Sequence, residues 1–276
     1  MSVLKTRIIL GTAMLLGFCG IVYFDYSFDS DKGLGFVGLL AGGLCLFEFY
    51  NIVEKKGFAP FKVSGIIGGV IVFSGLWLSA YEEGLKPIYA CIFFPIVFWL
   101  FCIQALKRGI DDTIKNISVT VFGIIYIFFF LSFIMLIRHM PNGLSVVLIV
   151  LLITKGGDIG GYLFGRKFGR HKLSSFSPNK TIEGALFGLF SSLMIAVGLN
   201  TLPGMKILPF YIIVPFGLIV GASGICGDLI ESIIKRDMEV KDSGSAIPAF
   251  GGLLDILDSL LISIPVAYYF LVIIGY

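Results

Sequence analysis

Lys155, Asp158, Asp228, Glu231, Asp255 and Asp258 each interrupt or border a long apolar run, where an ionised side chain needs a reason to be. Asp228/Glu231 and Asp255/Asp258 are spaced i, i+3, which puts both carboxylates of each pair on one face of a helix. A charge at mid-bilayer costs about 2.5–3.5 kcal/mol even on insertion-based scales, so such residues usually face a cavity and serve a function. Glu231 and Lys155 admit a second reading, as interfacial residues that snorkel to water; the aspartates reach too poorly to fit it well. Two carboxylate pairs joined by a loop can form an oxygen-rich site for a divalent cation. Mg²⁺ is its natural occupant, since that ion is usually held by one or two carboxylates together with substrate phosphates. Cations stand close by in the sequence: Lys235, Arg236 and Lys241 after the first pair, and Arg166, Lys167, Arg170, His171, Lys172 and Lys180 after Asp158. Acidic lipid head groups alone would account for basic loops. They would not account for carboxylate pairs embedded beside them. Cations plus metal-binding acids are what a nucleoside triphosphate requires, because phosphoryl transfer depends on positioning and charge neutralisation.

These residues must be carried by membrane-spanning helices. The 276-residue chain is 57% hydrophobic and 14% charged, against about 25% charged in a typical soluble domain. A net charge of +3 is too modest to imply nucleic-acid binding. The five cysteines all lie in apolar segments, none forms a C-x-x-C pair, and they are read as small buried hydrophobes rather than as a disulfide framework. Apolar runs recur near 8–24, 34–53, 64–80, 87–106, 118–137, 143–163, 183–202, 208–230 and 252–275. The fold class is therefore all-α, a polytopic transmembrane bundle of about nine spans. The first span follows Lys5 and Arg7, lacks a convincing cleavage site and is read as a retained anchor. We divide the chain into N-terminal spans, residues 1–140, and a C-terminal catalytic region, residues 141–276.

Nine spans place alternate loops on opposite sides. Sixteen Lys and Arg then fall on one side, only Lys32, Lys86, Arg138 and Lys206 on the other, and Lys155 lies within a span. The positive-inside rule puts the N-terminus in the cytoplasm. In the first half of the chain the charges are assigned to loops. In the second half, Asp158, Asp228, Glu231, Asp255 and Asp258 converge at one depth, just below the cytoplasmic surface. Glycines spaced by four, Gly157/Gly161/Gly165 among them, fit close helix packing; the alternative is a helix broken at 156–161 to line a polar cavity.

The run from Ser232 to Asp258 resembles the signature of the phosphatidate cytidylyltransferases, also called CDP-diacylglycerol synthases. It reads Ser232-Ile-Ile-Lys235-Arg236, then Lys241-Asp242-Ser243-Gly244, then Ile247-Pro248-Ala249-Phe250-Gly251-Gly252-Leu253-Leu254-Asp255-Ile256-Leu257-Asp258. Gly157-Asp158 through Gly169-Arg170, and Ser177-Pro178-Asn179-Lys180-Thr181 with Glu183-Gly184, look like the same family. The resemblance covers roughly residues 150–265. The family pattern has His where Phe250 stands and Arg where Ile256 stands, so no role is carried over at those two positions.

The resemblance implies transfer of CMP from CTP to phosphatidic acid, giving CDP-diacylglycerol and pyrophosphate. It assigns catalytic roles to Asp228, Lys235, Arg236, Lys241, Asp242 and Asp255. Nucleotide contacts fall to Asp158, Ser177, Lys180, Thr181, Ser243, Gly251 and Gly252, and a Mg²⁺ site to Asp228, Asp255 and Asp258, with a second cation compatible. CTP, phosphatidic acid and the bilayer are the implied partners, a homodimer is compatible, and the implied location is the inner (plasma) membrane. A CTP-dependent lipid-alcohol kinase and a secondary transporter are the rivals. A transporter would place its charges nearer the midplane. A CDP-alcohol phosphotransferase would need an Asp-Gly-x-x-Ala-Arg motif, which the chain lacks.

Overall fold

The computed structural model describes residues 3–82, 91–244, 247 and 251–276. Nine helices follow one another among these residues: α1 Val3–Ser27, α2 Lys32–Lys55, α3 Lys62–Ser79, α4 Phe93–Lys107 and α5 Thr113–Arg138, then α6 Gly143–Phe168, α7 Ile182–Asn200, α8 Phe210–Asp237 and α9 Leu254–Ile273. Seven of them, α2, α3 and α5 to α9, are long and apolar enough to cross a membrane. The spans expected near 8–24 and 87–106 correspond to α1 and to α4, a 15-residue apolar helix, with residues 87–90 outside the described residues. Large apolar side chains such as Phe36, Phe98, Leu106 and Tyr211 stand exposed on these helices, as lipid-facing surfaces require. The chain is a polytopic helical membrane protein. Of the cysteines, Cys45 is buried but Cys19, Cys91 and Cys226 are exposed, so the expectation of buried hydrophobes holds for only part of the set.

The helices form two compact units, Met1–Leu136 with Met238–Ile256, and Ile137–Asp237 with Leu257–Tyr276. In the first, aromatic rings fill the notches that glycines leave. Ideal Cβ atoms on Gly35, Gly38 and Gly42 of α2 would lie within 2.3, 2.5 and 2.6 Å of the rings of Trp77, Phe73 and Phe128. Phe128 sits in a π-helical turn of α5, Ile124–Phe129, whose Ile124, Tyr126, Ile127 and Phe128 are all buried. The Tyr50 hydroxyl donates to the Thr120 carbonyl at 2.8 Å, and Phe61 N donates to the Thr120 hydroxyl at 2.9 Å.

The second unit packs backbone on backbone. Helix α6 runs unbroken from Gly143 to Phe168, so Gly156–Gly161 does not interrupt it, and the glycines serve packing. A Cβ on Gly188 of α7 would lie 3.0 Å from the Gly157 carbonyl oxygen, and one on Gly184 would lie 2.9 Å from that of Gly161. Only glycine permits such an approach, and in lipid this contact area replaces a missing hydrophobic drive. Replacing Gly188 by Leu should force α6 and α7 apart and destabilise the protein by about 1–3 kcal/mol. Thermal unfolding in detergent would show this as a lowered midpoint.

Candidate active site

Asp228 lies on α8 two turns before its end, and Asp258 lies in the second turn of α9. Gly227 lets them meet. A Cβ at that position would lie 2.6 Å from the Asp258 carbonyl oxygen and 3.0 Å from Ser259 Cα. Glu231, one turn after Asp228, completes the group: one carboxylate oxygen from each of Asp228, Glu231 and Asp258 lies within 4.8 Å of the others. Glu231 is 1% exposed and Asp258 5%, so Glu231 is buried within the protein rather than reaching to water.

Lysines meet these carboxylates. Lys180 Nζ lies 2.6 Å from Asp228 Oδ2, and Lys235 Nζ pairs with Glu231 Oε2 one turn along α8. On α6, Lys155 Nζ donates to Asp158 Oδ2 at 3.0 Å and to the Ser259 hydroxyl at 2.7 Å, while that hydroxyl donates to Asp158 Oδ2 at 2.8 Å. Asp158 thus holds a basic side chain and ties α6 to the residue next to Asp258.

The segment between α6 and α7 is folded so that Lys180 can reach the acids. Ile182 N donates to the His171 carbonyl and Leu173 N to the Lys180 carbonyl, while Lys180 N closes a turn onto the Ser177 carbonyl at 3.1 Å. Thr181 caps α7, its hydroxyl accepting from Gly184 N at 3.1 Å. Glu183 accepts from the backbone of Arg170 and His171 and from the His171 ring. Arg236 Nε donates to the Phe176 carbonyl at 3.2 Å, fastening the same segment to the end of α8. Beside it opens a cavity of about 400 Å³, whose polar lining is Asp158, Tyr162, Arg166, Asn179, Lys180, Thr181 and Asp228. Ser177 therefore shapes the turn that presents Lys180.

The remaining expected residues belong to the other unit. Lys241 and Asp242 are exposed, and Ser243 is buried. Asp255, in the first turn of α9, uses Oδ2 to accept from Ser243 N at 2.9 Å, the Ser243 hydroxyl at 2.7 Å and Gly252 N at 2.7 Å. That reach back to the amides before the helix resembles a capping box. Ile247 and Gly251 exchange two backbone hydrogen bonds, 2.9 and 3.0 Å. Gly251 takes a φ of +99°, a conformation that favours glycine. Phe250 lies outside the described residues; Ile256 is half-buried at the start of α9.

Glu48 is the residue that the sequence reading missed. It corrects the assignment of all first-half charges to loops, since it lies inside α2 and is 8% exposed. Its Oε1 accepts from Leu253 N and its Oε2 from Leu254 N, both at 2.9 Å. The visible signal was an acid within the apolar run 34–53.

A family model for the cytidylyltransferase family matches residues 5–274. A phosphatidate cytidylyltransferase of Synechocystis sp. is 31% identical over 256 residues, covering 83% of this chain and 85% of the relative. That of Chlamydia pneumoniae is 29% identical over 277 residues, covering 95% and 90%. That of Staphylococcus aureus is 32% identical over 244 residues, covering 82% and 90%.

Lys155 and Asp158 are each about one-third exposed, so their pairing matters less than a fully buried one. Lys155→Met should cost about 1–2 kcal/mol, and adding Asp158→Asn should recover part of it. Unfolding midpoints of the two single variants and the double variant would complete that cycle.

Proposed function

Because this chain belongs to the cytidylyltransferase family, we propose that it is a phosphatidate cytidylyltransferase, which transfers CMP from CTP to phosphatidic acid and releases pyrophosphate. The observation that carries this reading is the gathering of Asp228, Glu231 and Asp258 within 4.8 Å beside Lys180 and Lys235. Three carboxylates and no softer donor suit a hard cation. Asp228, Glu231 and Asp258 would hold Mg²⁺, which when bound would supply positive charge to the triphosphate.

The chain's own groups address the main barrier, the approach of two anions. A phosphate monoester of the lipid is a competent nucleophile near neutral pH without a strong base. Its oxygen bonds to the α-phosphorus of CTP while the bond from that phosphorus to pyrophosphate breaks. The lysine positioned by the Ser177 turn, Lys180, and Lys235 at the end of α8 offset the charge of the phosphates, and Arg236 joins them. The cavity bounded by Asp158, Arg166, Asn179, Lys180 and Thr181 is of a size to admit a phosphate head group. Asp158 orients Lys155 through its ion pair. The resemblance assigns catalytic roles to Lys241 and Asp242 and nucleotide contacts to Ser243, Gly251 and Gly252, and Asp255 keeps Ser243 and Gly252 in place. The bacterial relatives support a plasma (inner) membrane location, and the uneven spread of Lys and Arg supports an active site facing the cytoplasm.

The purified protein, given labelled CTP, phosphatidic acid and Mg²⁺, should form CDP-diacylglycerol and pyrophosphate; CDP plus a phosphorylated alcohol would instead mark a kinase. Asp258→Asn and Asp228→Asn should each lower turnover by about a hundredfold or more. Wild-type turnover in both variants would overturn the metal-site assignment.

A further inference from the structure

Glu48 does something that packing does not explain. A carboxylate inside an apolar helix is costly unless donors surround it, and among the described residues the donors that meet this one come from Leu253 and Leu254, with Ser243 nearby. Leu253 N and Leu254 N point at its two oxygens, each at 2.9 Å. These amides precede and open α9, where the helix leaves its first N–H groups without internal partners and presents a positive dipole end. The Ser243 hydroxyl lies 3.3 Å from Glu48 Oε2 but 2.7 Å from Asp255 Oδ2. Having one proton, it donates to Asp255 at the shorter distance, and the donors that hold Glu48 are the two amides. A Cβ on Gly252 would lie 2.4 Å from Glu48 Oε2 and 2.0 Å from the Ser243 hydroxyl, so Gly252 leaves the space that the carboxylate fills. Gly244 is close as well, its ideal Cβ position 3.1 Å from Glu48 Oε1.

We propose that Glu48 is a positioning residue for nucleotide binding, a carboxylate on α2 that fixes Ser243 and Gly251–Leu254 at the start of α9 and so presents Ser243, Gly251 and Gly252, with Lys241 beside them in the chain, to CTP. Asp255 holds that segment from within, through Ser243 and Gly252; Glu48 holds it from a different helix. The two carboxylates have separate tasks. Asp255 closes the segment on itself, whereas Glu48 sets where it stands against α2. The inference rests on the CTP-dependent reading above.

The test uses the full-length protein in detergent or vesicles. Glu48→Gln keeps the volume but turns one acceptor into a donor that faces an N–H. It should raise KM for CTP about tenfold or more, while kcat and KM for phosphatidic acid stay within about threefold. Glu48→Asp, with a carboxylate one methylene short, should fall between Gln and wild type. Amide hydrogen exchange of residues 251–254 gives a readout independent of turnover, and Glu48→Gln should accelerate it. If wild type makes no CDP-diacylglycerol but that exchange still accelerates, the clamp stands and the proposed reaction fails. An unchanged KM for CTP, or an equal loss for both substrates with exchange unaltered, would overturn the proposal for Glu48. Should Glu48→Gln not fold, Glu48→Asp decides it by the same kinetic criteria and by the same exchange readout.

Discussion

A carboxylate enclosed by apolar helices must be met by donors at close range, because neither water nor a high dielectric is at hand to stabilise it. The arrangement of this protein follows from meeting that requirement repeatedly. Asp25 takes the backbone N–H groups of Gly33 and Leu34, at 2.9 and 2.8 Å, and so turns the chain from α1 into α2. Asp31 receives the Trp77 indole and the Tyr81 hydroxyl and ties α2 to the end of α3. Glu48 takes the opening amides of α9. In the second unit lysines replace amides: Lys235 serves the buried Glu231, and Lys155 and Lys180 serve Asp158 and Asp228, which are about one-third exposed. Amide donors are fixed to the backbone and make rigid structure. Lysines are mobile cations on long stems, which suits a place where phosphates arrive and leave.

The two units reach close packing by different means. Rings seated over glycine give the first unit many dispersion contacts at modest backbone separation. Glycine facing glycine gives α6 and α7 a near-contact of main chains. The second solution holds two helices in a narrowly defined spacing, and residues on α6, on α7 and at the cap of α7 line the cavity beside Asp228.

Much of this was legible in the sequence. The i, i+3 spacing of Asp228/Glu231 pointed to a shared helical face, but the sequence reading gave the cation to Asp228, Asp255 and Asp258. The carboxylates that lie within 4.8 Å of one another are instead Asp228, Glu231 and Asp258, and Asp255 accepts from Ser243 and Gly252. The glycines at 157, 161 and 165 announced a close helix contact by the same helical geometry. What sequence spacing cannot encode is the path of a loop. The approach of Lys180 to Asp228 depends on the turn at Ser177 and the cap at Thr181, and the hold of Asp255 on Ser243 depends on the conformation of Gly251 and Gly252. Glu48 escaped because its surroundings in the chain are wholly helical and apolar, while its partners are far away in sequence. Periodicity reports the face a residue occupies and says nothing of which distant amides will meet it.

Consider finally how the charge pairs are distributed along the chain. Lys155–Asp158 and Glu231–Lys235 each lie within one helix, at i, i+3 and i, i+4, so both can form as soon as α6 and α8 coil. Asp228 draws its cation from the segment ahead of α7, and Asp258 gains its neighbours only when α9 settles against α8. Part of the charge is therefore offset within single helices, and the rest only by contacts between elements of the folded bundle. Of the three clustered acids, Glu231 finds its cation within its own helix, whereas Asp228 meets Lys180 and Asp258 joins the group only through contacts between elements, so the cluster is complete only in the tertiary fold.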